Sequence, residues 1–390
     1  MNKPLATDTI APSTAALEMI DRLIALPTVS RDSNLGLIEF VRDHLARLGT
    51  KPHLVYDASR KKANLFVTLA DDPDAVRQAG IVLAGHTDTV PYDEGRWRYD
   101  PFSLTEDSGR LYGLGTSDMK GFFALAIEAA RPFLGRSLLR PLVILATADE
   151  ESSMCGAIAL ARAGRPLGRY AVIGEPTGLR PIRMHKGIMM EAVRLIGRSG
   201  HSSDPALGRS ALEGMHAVIG GLLDWRAELQ AQHRDPSFAV PVPTLNLGHV
   251  HGGDNPNRIC GECELHLDLR PLPGMHLDEL RAALRDRVAQ ASEALGLAWE
   301  TRPLFPGIEA VETDPTSPIV RAAEALTGHA AGAVAFGTEA PYLKALGMDT
   351  LILGPGDIAQ AHQPDEYLAL ERVPRTVELL RGLIGRFCLA

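Results

Sequence analysis

The chain has 390 residues, too many for one ordinary core, so two domains are expected. A hydrophobic share of 45% and a charged share of 23% are those of a soluble globular protein, and a net charge of −8 argues against a polyanionic partner such as nucleic acid. The apolar runs are strand-sized rather than membrane-spanning, the opening Met1-Asn-Lys-Pro-Leu-Ala-Thr-Asp8 lacks the basic and apolar regions of a secretory signal, and four cysteines fit a reducing compartment, so a cytoplasmic protein is expected.

Along the chain, residues 14–27 carry Leu17, Ile20, Leu23 and Ile24 at helical spacing, and Ile38, Val41, Leu45 and Leu48 repeat the pattern up to Gly49. Strand-like runs at 64–70, 81–85, 142–148 and 170–174 then alternate with helices near 120–131 and 155–163. This alternation predicts an α/β fold, a mostly parallel sheet sandwiched by helices, with ligands gathered beyond the carboxyl ends of the strands. After about residue 183 the order becomes strand 187–197, helix 209–230, strands 243–250 and 258–270, and helix 277–294. That β-α-β-β-α order predicts an inserted α+β, ferredoxin-like domain over 185–294. Elements at 297–303, 317–327, 332–336, 338–346, 349–353 and 371–388 resume the first pattern. The larger domain is therefore expected to be discontinuous, 1–184 and 295–390.

Chemistry-bearing residues sit where the strands of the larger domain end. His86-Thr-Asp88 closes the run Ile81–Gly85, and residues two apart on a strand project to one side. Asp118 stands in Gly-Thr-Ser-Asp-Met-Lys-Gly, Glu150-Glu151 follow Leu142–Ala148, Glu175 stands in Ile-Gly-Glu-Pro-Thr, and His362 in Gln-Ala-His-Gln-Pro. Each alone reads equally as a solvated or structural residue; together they make a set of nitrogen and oxygen donors that suits zinc, cobalt or manganese. Two such ions about 3.5–4 Å apart under a shared carboxylate form a recurring hydrolytic device. That chemistry needs a further carboxylate free of metal to move the water's proton, and adjacent Glu150 and Glu151 point different ways, so one can bind metal while the other stays free. Asp88 can hydrogen-bond the ring N–H of His86 and fix its tautomer.

His86-Thr-Asp-Thr-Val-Pro, Gly115-Thr-Ser-Asp-Met-Lys-Gly, Asp149-Glu-Glu and Gly174-Glu-Pro-Thr resemble, in order and spacing, the motifs of the M20 family of dinuclear metallohydrolases. The resemblance covers nearly the whole chain. It implies that His86 and Glu175 hold one ion, Glu151 and His362 the other, and that Asp118 bridges both. It further implies Glu150 as general base, Asp88 as the orienting partner of His86, a cis peptide after Asp118, and an inserted domain that serves as lid and dimerisation surface of a homodimer. Residues 259–274, Gly337-Thr-Glu-Ala-Pro and 354–367 are similar to the acetylornithine deacetylase branch of that family, which implies a small N-acyl amino acid as substrate and a deacetylation in arginine biosynthesis. A related M20 amidase (an acetylcitrulline deacetylase, a desuccinylase or a dipeptidase) and a metal-binding scaffold without activity are the competing readings.

Four residues outside the metal motifs complete the expected site. The resemblance implies that His201, in Gly-His-Ser, reaches the active site from the partner subunit and steadies the oxyanion. Asn257 and Arg258 follow a Gly-Gly-Asp-Asn-Pro loop, where the guanidinium suits a substrate carboxylate and equally suits solvent. Glu339 stands at a helix start, as a first-turn acid or as the receptor of a substrate ammonium. Cys260-x-x-Cys263 has zinc-like spacing but no second pair, and packing in a core is the expected role.

Overall fold

The computed structural model describes residues 11–69, 80–166 and 168–389; the opening octapeptide and the last residue of the 64–70 run lie outside them. Two compact units emerge. One comprises the chain up to Arg183 with Thr313–Gly332 and Thr338–Ala390; the other is Met184–Glu312 with Ala333–Gly337.

In the first unit six strands line up in the order His53–Tyr56, Ala63–Leu69, Leu142–Thr147, Ile81–His86, Tyr170–Pro176 and Asp349–Gly354. The last four run parallel, while the first two are antiparallel to their neighbours. The sheet is thus mixed, with a parallel centre. Ile81–His86 and Leu142–Thr147 are buried throughout, which is why they read as unbroken apolar runs rather than alternating ones. Helix Lys120–Ala130 lies against these two strands and Tyr170–Pro176, beneath helices Thr14–Ile24 and Arg372–Ile384, and all of its residues are buried. Gly174 permits that contact, since a Cβ there would stand 1.9 Å from Cγ of Phe122. Helix Thr14–Ile24 starts at Ser13, whose Oγ accepts the N–H of Ala16 at 3.2 Å. Its Ala16, Met19, Ile20, Leu23 and Ile24 face the core, the four larger side chains each contributing about 1.5–3 kcal/mol by burial. Helix Cys155–Ala163 packs separately, against His53–Tyr56, Ala63–Leu69 and helix Ala340–Ala345.

The second unit is a four-stranded antiparallel sheet ordered Thr244–Gly252, Glu262–Arg270, Met189–Ile196 and Ala298–Pro303. Helices Ala211–Gln232 and Leu277–Glu293 bury Met215, Val218, Leu222, Leu284 and Val288 in its core. Along Glu262–Arg270 every second residue is buried, so one face belongs to the core. The boundary expected at residue 294 falls short. Strand Ala298–Pro303 pairs with Met189–Ile196 and completes a β-α-β-β-α-β unit, which runs to Glu312. Its polar, half-exposed pattern is that of an edge strand, and so it resembled the start of a new segment. Cys260 and Cys263 are both buried in this core as free thiols, Cys260 lying ahead of the strand rather than within it.

Candidate metal centre

Three parallel strands of the first unit deliver the expected residues at their carboxyl ends. His86 ends its strand, Glu175 is the next-to-last residue of the neighbouring one, and Glu150-Glu151 follow Leu142–Thr147 by a short turn. Nε2 of His86 stands 3.0 Å from Oδ1 of Asp118 and 4.0 Å from Oε1 of Glu175. Nε2 of His362 stands 3.2 Å from Oε1 of Glu151 and 3.5 Å from Oδ2 of Asp118. Donor atoms of His86, Asp118 and Glu175 lie within 4.8 Å of one another, as do those of Asp118, Glu151 and His362. Asp118 therefore belongs to both groups and turns one oxygen toward each histidine. The peptide that follows it is cis. His362, with its side chain 51% exposed, opens the cluster to solvent, while His86 is buried.

The atoms fit cations. Nδ1 of His86 is 3.0 Å from the backbone carbonyl of Asp88, to which it can only donate. In the neutral ring Nε2 then carries a lone pair, and it faces a carboxylate oxygen; a proton or a metal ion must join the two. Oε1 of Glu175 is buried and, among the described residues, lacks a hydrogen-bond partner. Burial and the neighbouring carboxylates, Glu175 for Glu150 and Asp118 for Glu175, push both side chains well above the ordinary carboxylate range. Burial opposes ionisation of Asp118 as well, but the hydrogen bonds from His362 and His86 hold it far below that range. Asp118 and Glu151 raise His362 to about 10. Protons thus balance a cluster of buried acids, and divalent cations, which bind the deprotonated groups, would take their place.

Asp88 occupies a different post from the one expected. Its carboxylate lies 3.7 Å from Nδ1 of His86, beyond hydrogen-bond reach, and the carbonyl performs that service. The carboxylate accepts instead the N–H groups of Glu150 (at Oδ1) and Glu151 (at Oδ2), both at 3.1 Å, and the hydroxyl of Ser30 at 2.6 Å. It holds the turn that presents the two glutamates. Asp149 begins that turn with φ of 61°, a left-handed conformation uncommon for a residue with a side chain. An ion pair to Lys62 and the hydroxyls of Ser152 and Ser153 hold it there. Glu150 is in neither donor group.

Glu339 is 1% exposed, immediately before helix Ala340–Ala345, and burial raises its carboxyl to about 7. Among the described residues neither of its oxygens has a hydrogen-bond partner within 3.5 Å, although the Thr147 hydroxyl stands close enough to offset the burial in part. It sits among His86, Asp88 and Thr147 rather than at an open mouth. The second unit assembles the other three expected residues by itself. His201 and Arg258 form a backbone bridge, Ser202 N–H donates to the carbonyl of Asn257 at 3.0 Å, and all three side chains are exposed. Arg258 is paired with Asp254 at 2.5 Å. Sequence reasoning missed Ser30, Lys62 and Glu366. Glu366 lies inside the 354–367 segment without a role assigned by the sequence, whereas Ser30 and Lys62 look like any loop serine and surface lysine until the fold carries them to this turn.

A profile of peptidase family M20/M25/M40 matches residues 82–386. The chain belongs to this family. Acetylornithine deacetylase of Edwardsiella ictaluri is 48% identical over 379 residues, 94% of this chain and 96% of that protein. Among M20 and related structures, a metallo-carboxypeptidase from Sulfolobus solfataricus superposes with a TM-score of 0.75 at 16% identity, covering 95% of this chain and 99% of that one. A dinuclear metal-binding M20 peptidase from Bacillus subtilis gives 0.68 at 16% identity, over 95% and 97%. These two likenesses establish the M20 fold; the sequence match to the deacetylase spans both units.

Proposed function

We propose that this M20 chain is a dinuclear metal-dependent amide hydrolase that converts N2-acetylornithine and water to ornithine and acetate, a step of arginine biosynthesis. One observation carries the reading. Two donor groups share Asp118, and Glu150 is held beside them yet in neither, on a chain half identical to an acetylornithine deacetylase. His86 and Glu175 would hold one cation, Glu151 and His362 the other, and Asp118 both. The donor set suits zinc or cobalt, with manganese as third choice. Bound there, the pair supplies Lewis acidity toward the acyl carbonyl and a water of pKa near 7.

The chain's own groups supply the rest. The carboxylate of Glu150 takes a proton from the attacking water and returns it to the α-nitrogen as the C–N bond breaks. Asp88 keeps Glu150 and Glu151 in register through their N–H groups. His201, reaching the site from the second copy of a homodimer paired through the inserted lid, donates to the oxygen that gains charge. Arg258, released from Asp254, takes the substrate's α-carboxylate beside Asn257. Glu339 answers the distal ammonium, a buried acid that forms no ion pair among the described residues. The reading places the enzyme in the cytoplasm.

A panel of N-acetylornithine, N-acetylcitrulline, N-succinyl-diaminopimelate and dipeptides, assayed with zinc, cobalt or manganese and with chelator, tests this. Acetylornithine should show the highest kcat/KM, and chelator should abolish it. A higher value for another substrate would move the protein to a different branch, and activity that survives chelation would refute the metal chemistry.

A further inference from the structure

Glu366 stands four residues beyond His362, and its side chain is 1% exposed. Its Oε1 accepts the backbone N–H of Ser117 at 2.7 Å and of Asp118 at 3.0 Å, and both oxygens lie 3.1 Å from the N of Gly115. A single carboxylate thus gathers three amides of the Asp118 loop, one of them belonging to Asp118 itself. The backbone carbonyl of Glu366 accepts from the N of Gly113 at 3.0 Å, and Tyr367–Ala369 continues as a strand paired with Arg110–Tyr112. A second tie joins the same loops, since Asp357 N–H donates to Oγ of Ser117 at 2.8 Å. His362, by contrast, has its side chain half exposed and its backbone left-handed at φ of 59°. Little packing holds it, so its place depends on how its loop is anchored.

We propose that Glu366 is a positioning residue that sets the spacing between Asp118 and His362, and thereby the affinity of the Asp118–Glu151–His362 group for its cation. This inference rests on the two-cation reading above. It makes one of the two binding steps depend on a residue that touches neither ion. Removing the Glu366 carboxylate leaves three buried amides without that acceptor and frees the two loops to separate.

Titration of metal-free protein with Co2+, followed by calorimetry and visible absorption, tests it on the parent chain and on E366A, E366D and E366Q. The parent should take up two ions in distinct steps. In E366A one step should weaken about 10–100-fold, the usual scale for losing an outer partner of a ligand, with the other unchanged. E366D, whose carboxylate is withdrawn by one methylene, should show a smaller loss in the same step. E366Q keeps an oxygen that can accept from Ser117 and Asp118, and should recover most of it. A parent that binds fewer than two ions overturns the two-cation reading and this inference with it. If the parent binds two and the steps of E366A match it, or both steps fall equally, Glu366 has no such role. Should E366A fail to fold by circular dichroism, E366D decides on the same criteria.

Discussion

At the scale of single residues, the division of labour between Glu150 and Glu151 is the feature most open to test. The two are adjacent and their N–H groups share one acceptor, Asp88, yet only Glu151 joins a donor group. Glu150→Ala should therefore cut kcat by about 10²–10⁴, the range for loss of a general base, with metal content measured by emission spectrometry unchanged. Retention of most of the rate would remove Glu150 from the proton path. His201→Ala should lower kcat by about 10²–10³ with little change in KM, as expected when a donor to a developing oxyanion is lost. A near-normal kcat would make His201 a surface histidine. The places of His86 and Glu175 were legible in the sequence because a strand end fixes where a side chain goes. The role of Asp88 was not: choosing between its carbonyl and its carboxylate requires the path of the chain after His86, and the Glu150 turn that competes for the carboxylate is 62 residues away.

At the scale of elements, the site depends on how closely helix Lys120–Ala130 lies on the strand that carries Glu175. Gly174 makes that approach possible. Gly174→Ala should destabilise the protein by about 1–3 kcal/mol through overpacking against Phe122, seen as a lower midpoint in thermal unfolding of the metal-free chain. An unchanged midpoint would mean that the helix can shift without cost. Element types read well where burial is uniform, as in Ile81–His86, or where apolar residues recur at helical spacing, as in Thr14–Ile24. Ala298–Pro303 was read as an element but given to the wrong unit, because pairing partners are not local: this strand belongs beside Met189–Ile196, about a hundred residues earlier, and nothing in its own six residues says so.

For the whole molecule, stability should respond to acid through a residue that belongs to neither donor group. His185 is fully buried in the second unit, its Nδ1 donating to the carbonyl of Lys186 at 2.8 Å, and burial lowers its pKa from 6.5 to about 4. Between those values the unfolded chain binds a proton that the folded one refuses. Stability is therefore complete above pH 6.5 and falls as pH drops toward 4, by on the order of 3 kcal/mol from this group. In urea unfolding, His185→Asn should show a smaller loss between pH 7 and pH 4.5 than the parent; equal losses would exclude His185 as the cause. The discontinuous larger domain was legible because His86 and His362 had to meet, whereas the extent of the inserted unit was not. The central claim is that segments far apart in the chain converge to grip a pair of cations under Asp118. Anomalous diffraction from crystals grown with zinc measures this directly. The account predicts two peaks about 3.5–4 Å apart on either side of the Asp118 carboxylate, one beside His86 and one beside His362. A single peak, or peaks away from Asp118, would contradict it.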